Sequence, residues 1–453
     1  MKKELDIKQV LEALSKEKLI DIILDVTENN DVLKNRIIFK YSKGDNKEEI
    51  KKCKKLINLI VKEYVDESGF VRYEHACDFM QSMEEILERA REEEDVMLAF
   101  DISLLLLNEI IEAFKYSHYS SGDIGYLIAN TMEFISKDIV IRDDLNLSLR
   151  KQVFNKLIEL INNNVFHDFE DYRNDILQIC SKFADISELR YKLVRKINDL
   201  ISKDPDNRYH NEIMLQILFE IVKKYGTKEE SEKFIKDNLE FTYFREMLIH
   251  KYMEQKNYGE IVQLTLEGEK KDRNYVDLED KWKKIRYTVY KKLQNKEEQE
   301  KLAKELLFHG NFEYYRELKE LNKENTKEFY NNLKKEIKNN GKMYIGKIYV
   351  RIILQENDLD ELMEFVRNNH RDIELYANRL VGKFSDEVID IYCKYIKEKA
   401  SYSFNRSEYR YVCEMLKKYK KIAGKEKQMQ LKNQLSDLYK KRPAFVDELS
   451  KFR

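Results

Sequence analysis

Arg245 and His250 stand five positions apart, and the two residue types together could act on a phosphodiester. An imidazole exchanges a proton near neutral pH, and a guanidinium stabilises the charge that develops on phosphate. Chance also supplies this spacing in a chain so rich in charge, so an Arg on a helix surface and a His at a helix end is the competing reading. Phosphate could instead be cradled by a Gly-rich loop, which needs Gly-Lys followed by Ser or Thr. The four Gly-Lys pairs, beginning at Gly341, Gly346, Gly382 and Gly424, are followed by Met343, Ile348, Phe384 and Glu426, which excludes a P-loop. The run His167-Asp168-Phe169-Glu170-Asp171 gathers nitrogen and oxygen ligands as a Mn²⁺ or Mg²⁺ site would. Acidic residues at a helix N-terminus answer the macrodipole without any ion, and that reading is preferred. No catalytic set, metal or other cofactor is therefore expected.

Charge is dense and balanced: 83 Lys and Arg face 84 Asp and Glu, and charged residues make up 37% of the 453 positions. The balance excludes a uniformly basic or acidic protein, although the ending is asymmetric. From Ser401 to Arg453 there are 14 basic and 6 acidic residues, with Tyr402, Phe404, Tyr409, Tyr411, Tyr419 and Tyr439 among them. Cations interleaved with aromatic rings can hold a nucleic-acid backbone and stack bases, which makes Lys440, Lys441 and Arg442 candidate contacts to nucleic acid or a partner. The competing reading puts the rings on a buried stripe, since Tyr409, Val412, Cys413 and Leu416 have core spacing. Glu92-Glu93-Glu94-Asp95 reads as a solvated helix start.

The elements that must position these residues are helices. There are only 12 Gly and 2 Pro, where average usage of roughly 7% and 5% predicts about 32 and about 23. Folds built on hairpins or Gly-rich loops need many more turn residues than that. Apolar stripes at helical spacing run through Cys53–Tyr64, Val153–Ile161 and Val388–Ile396. Ser15, Asp31, Ser121, Ser187, Thr227 and Ser385 are candidate N-caps. Pro205, within Ser202–Asn207, marks a boundary between residues 1–204 and 205–453.

Polar corners at Asn257, Asn311 and Asp358 recur 54 and 47 residues apart, close to the period of HEAT-type repeats. A helix pair with one apolar stripe cannot bury it alone. The chain is therefore expected to be an all-α solenoid of stacked antiparallel helix pairs, a TPR/HEAT-like superhelix with a concave face. The five cysteines lie apart with no C-x-x-C pair, as expected of reduced, buried thiols in a cytosol. The charged start and the absence of a long apolar run point the same way, to a cytoplasmic protein without a membrane segment.

The ending Leu438-Tyr439-Lys440-Lys441-Arg442-Pro443-Ala444-Phe445-Val446-Asp447-Glu448-Leu449 resembles the closing helix of the long helical region in bacterial SWIM zinc-finger proteins. Upstream, Tyr349–Glu356, Leu359–Phe365, Ser385–Ile396, Ser407–Tyr409 and Leu416 follow the helix order of that region, and Ser15–Leu24 with Asp31–Leu33 is similar to the segment that opens it. The SWIM element needs Cys-x-Cys and a later Cys-x-His as zinc ligands. His75-Ala76-Cys77 is the nearest approach here, so the resemblance implies the helical-repeat module without its metal. The spacing of Arg245 and His250 separately resembles the ribonuclease motif of HEPN proteins, although Glu246 replaces the small polar residue usual after the Arg. The expectation is a non-enzymatic scaffold or adaptor that binds a protein partner. The alternative is a nucleic-acid-associated protein, acting through the basic ending or as a HEPN-like ribonuclease.

Overall fold

The computed structural model of the chain describes residues 6–66, 71, 73–115, 122–167, 169–340 and 345–451. They form 23 α-helices with a few short 3-10 and π turns. Among the described residues there is no strand, and one isolated β-bridge pairs Val65 with Val71.

Two compact units divide the chain, residues 1–248 and 249–453. The first contains α1 (Ile7–Glu12), α2 (Lys16–Glu28), α3 (Asp31–Tyr41), α4 (Asn46–Tyr64), α5 (Tyr73–Arg91), α6 (Val96–Lys115) and α7 (Gly122–Phe134). It continues with α8 (Leu147–Ile161), α9 (Glu170–Cys180), α10 (Ser187–Leu200), α11 (Arg208–Tyr225), α12 (Lys228–Asp237) and the start of α13 (Thr242–Glu254). The second holds α14 (Tyr258–Lys271), α15 (Val276–Lys292), α16 (Lys296–Phe308), α17 (Glu313–Leu321) and α18 (Thr326–Asn340). It closes with α19 (Ile345–Glu356), α20 (Leu359–Asn368), α21 (Ile373–Ser401), α22 (Arg406–Leu438) and α23 (Pro443–Lys451).

Within each unit a helix packs on its neighbours in sequence and on the next but one, as α4 does on α5 and α6, and α9 on α8 and α11. This is the stacked-pair, all-α solenoid arrangement that the apolar stripes require. Cys53, Leu56, Ile57 and Ile60 of α4 are buried, as are Val153, Phe154 and Leu157 of α8 and Val388, Tyr392 and Ile396 of α21. The apolar run Ile102–Leu107 lies in α6, which touches α4, α5, α7 and α8 and so buries several sides. Pro205 opens a 3-10 turn inside the first unit. The Asn211 side chain accepts from Ser202 N–H at 3.1 Å and donates to Ser202 C=O at 2.7 Å, so the turn is clamped and α11 folds back on α9.

The caps vary. Ser15 accepts from Lys18 N–H, and Thr227 with Glu230 makes a full capping box. Asp31 and Ser187 lie one position inside their helices, behind Asn30, which caps, and Ile186, which cannot. Ser121 falls outside the described residues. Ser385 follows Phe384, a non-helical residue where α21 kinks; α22 bends likewise at Gly424, whose φ of +85° disfavours any side chain.

The three corners read from the sequence share one geometry. Lys256, Gly310 and Asn357 have positive φ, and each following N–H (Asn257, Asn311, Asp358) bonds a carbonyl five residues back, at 2.9, 3.1 and 3.0 Å. That is the Schellman ending of a helix. A fourth copy occurs at Gln294-Asn295, where Asn295 N–H reaches Tyr290 C=O at 3.0 Å.

Candidate interaction surfaces

On α13, Arg245 shares a stripe with Phe244, Leu248 and Phe241 just before the helix, and is 1% exposed. Five residues on, about 140° around the helix, the His250 side chain is 79% exposed and lies 3.5 Å from Glu254. Arg245 is thus not on the surface, and the helix sends the two groups to different sides.

The basic ending separates as well. Arg442 does not face solvent as a free cation: it donates to the carbonyls of Ser403 at 2.9 Å, Ala400 at 3.3 Å and Ser401 at 3.5 Å. Its guanidinium also lies over the rings of Tyr439 and Phe404, at 4.7 and 5.3 Å. Arg442 therefore supplies donors to the carbonyls that end α21, and Pro443 takes the first position of α23, where its missing N–H costs nothing. Tyr409 stacks on Phe445 and Tyr419 meets Tyr392 edge-on, both inside the core. Lys440, paired with Asp437 at 3.3 Å, and Lys441 remain exposed, as do the rings of Tyr402 and Phe404.

Charged groups in the second unit are engaged with one another. Lys283 is buried within 2.7 Å of Glu279, 3.4 Å of Glu305 and 3.5 Å of Glu269, and Arg286 is 2.6 Å from Glu269. Burial alone would lower the lysine's pKa, but the hydrogen bond it donates to Glu279 and the surrounding carboxylates outweigh it, and the value is raised. A lysine used as base or nucleophile needs the opposite shift. Beside it the single tryptophan, Trp282, is fully buried and donates to Asp272 at 2.8 Å.

A Tyr-x3-Lys clasp recurs between helices two apart. Tyr287 and Lys291 of α15 both reach Glu317 of α17 at 2.7 Å; 43 residues later, Tyr330 and Lys334 of α18 both reach Asp358, the N-cap of α20, at 2.8 Å. Lys338 and the Tyr349 hydroxyl meet in the same way on Glu361. Burial alone would raise Asp358 and Glu361. Hydrogen bonds from Lys334, Glu361 N–H and Tyr330 to the first, and from Lys338 and Tyr349 to the second, reverse this and lower both. A carboxylate depressed on folding stabilises the fold above its unfolded pKa, about 4, and loses that contribution as pH falls through its folded value. We expect Asp358→Asn to lower the urea midpoint at pH 7, and the gap from wild type to close below about pH 4. A gap that stayed constant in acid would contradict this.

Elsewhere, the acids of the His167–Asp171 run turn to a histidine. Glu170 lies 3.0 Å and Asp171 3.7 Å from His210. Asp168 and the His167 side chain lie outside the described residues. Among the described residues no group of three or more His, Cys, Asp or Glu side chains is placed to hold a metal ion. Asp95 is no mere solvated acid: Asn46 donates to it, and it accepts from the N–H groups of Met97 and Leu98, lowering its pKa and capping α6. All five cysteines are free thiols, and Cys53, Cys180 and Cys413 are buried, but Cys77 is exposed, contrary to the expectation. Burial, aided by Glu49, pushes the Cys53 thiol up to about 12.

Apolar surface is unevenly distributed. Of 26 large apolar side chains exposed among the described residues, 10 fall within the first 41 positions. They include Ile7, Val10 and Leu11 of α1 and Ile20, Ile23 and Leu24 of α2. Neither helix buries any apolar residue of its own; only Thr27 of α2 is covered.

No family model matches the chain, and no curated protein does. A solved structure described as a "Circular tandem repeat protein with novel repeat topology and enhanced subunit contact surfaces" is similar over 96% of this chain and 90% of that one, at 14% identity and a TM-score of 0.20. At that score the two backbones do not superpose. No helix among the described residues is long and apolar enough to cross a membrane.

Proposed function

We propose that the chain is a non-enzymatic helical-repeat scaffold or adaptor whose work is to bind a protein partner. The observation that carries this reading is the concentration of exposed apolar side chains on α1–α3, beside charged clusters that are internally paired elsewhere. An apolar surface of this kind is what a protein interface covers. The resemblance of the Arg442-Pro443-Ala444 ending to the helical region of SWIM proteins supports the same assignment, since that region is a repeat module separate from the zinc ligands.

The test is affinity capture from the native cell with wild type and Leu24→Glu in parallel. The expected result is a protein retained in constant proportion by wild type and lost from the variant. Turnover of RNA, nucleotide or peptide that disappears in a point mutant such as His250→Ala would overturn the reading.

Nucleic-acid association is the second reading, favoured by the excess of basic residues after Ser401 and the exposure of Lys440 and Lys441. It requires a gel shift that weakens steeply with salt, with a salt slope reduced by about 1 for each of the two lysines neutralised.

A further inference from the structure

Helix α2 has a wide apolar arc with one narrow strip of it, at Thr27, laid against α3. Ile20, Ile22, Ile23, Leu24 and Val26 are each at least 42% exposed. Its polar side carries Glu17, Asp21, Asp25 and Glu28 against Lys18 alone, since Lys16 lies in line with Ile23 and Thr27. Helices that lie on membranes present Lys and Arg there, so this one is poorly matched to an anionic lipid surface.

The charges are ordered along the axis. Lys16 and Lys18 flank Glu17 in the first turn, and Asp25 and Glu28 stand in the last. Lys18 and Asp25 are seven residues, about two turns, apart, and both border the side formed by Ile22 and Val26. If a second α2 lies antiparallel with Ile22 at the centre, each copy's Lys18 falls beside the other's Asp25. In a parallel mate the two copies' charged edges would fall on opposite sides of the seam, and neither Lys18 nor Asp25 would meet a partner of opposite charge. The apolar side is thus complementary in charge to itself under a two-fold axis, the isologous arrangement of most homodimers.

We propose that the exposed face of α2 is the docking surface for a second copy of this chain, the two α2 helices pairing antiparallel across Ile22. The proposal rests on the reading of α1–α3 as a protein-binding surface and names the partner. A 13-residue helix is about 20 Å long, and a standard interface takes about 800 Å² from each side. Pairing through this helix and the adjoining α1 therefore gives a dimer that dissociates on dilution.

Sedimentation velocity over a micromolar concentration series at low salt tests it, with circular dichroism to show that each variant keeps its helices. Wild type is expected to pass from the chain mass to twice that mass, and Ile22→Glu to remain at the chain mass throughout. Lys18→Asp alone and Asp25→Lys alone are each expected to weaken association about tenfold or more, because symmetry turns two attractive pairs repulsive at once. The two together are expected to restore it to within a few-fold of wild type.

A chain monomeric at every concentration, a dimer indifferent to Ile22→Glu, or a double variant no better than the single ones would each overturn self-pairing. If the chain stays monomeric while Ile22→Glu abolishes retention of a different protein, the docking reading stands and the second copy fails as partner. A dimer that retains nothing else shows the converse.

Discussion

Trp282→Ala is expected to destabilise the second unit by about 3–5 kcal/mol, the range for emptying a fully buried large aromatic site. The ring meets α14 at Gly268, where a Cβ would stand 2.9 Å from three of its atoms. Gly268 is therefore required by close approach between α14 and α15. Gly268→Ala alone should cost about 1–3 kcal/mol, as overpacked cores do. The pair should be strongly non-additive, since the added methyl fills part of the space that the missing indole leaves. Thermal melts followed by far-ultraviolet circular dichroism check all three variants. Additive effects would mean that the two helices do not meet as described.

The second large effect belongs to Arg442→Ala. The carbonyls of Ser401 and Ser403 lose the guanidinium donor, that of Ala400 keeps only its backbone donor, and two rings lose the cation above them, for an expected loss of about 2–4 kcal/mol. Arg442→Lys should recover little of it, because an ammonium cannot span three carbonyls while stacking on two rings. If Arg442 were instead a surface contact to nucleic acid, Arg442→Ala would leave the melting midpoint unchanged and alter binding alone. Lys440→Ala and Lys441→Ala serve as controls, being exposed and expected to change stability by no more than about 0.5 kcal/mol.

These residues show what could be read from the amino acids and what could not. Helix class, the stripes in α4, α8 and α21, and three corners were legible because each rests on local spacing or turn chemistry. The fourth corner, Gln294-Asn295, is built like the legible Lys256-Asn257, with an ordinary left-handed residue before an Asn that opens the next helix, and its signal was equally present in the sequence. Arg245 invites a catalytic reading by its distance from His250, yet its own neighbours Phe241, Phe244 and Leu248 place it on an apolar stripe. Arg442 was singled out by charge, but its role depends on carbonyls about forty positions earlier, which no window of sequence contains. The Tyr-x3-Lys clasps were invisible for the same reason: tyrosine and lysine four apart are commonplace until the carboxylate two helices on is in view.

Those clasps bear on how the chain comes into being. Tyr287 and Glu317 are 30 positions apart, and Tyr330 and Asp358 are 28. No such tie waits for a far end of the polypeptide, so loop-closure entropy stays small. As a ribosome extrudes this region, each clasp can snap shut once the third helix of its group has emerged, and the growing protein is secured behind the exit tunnel one stitch at a time.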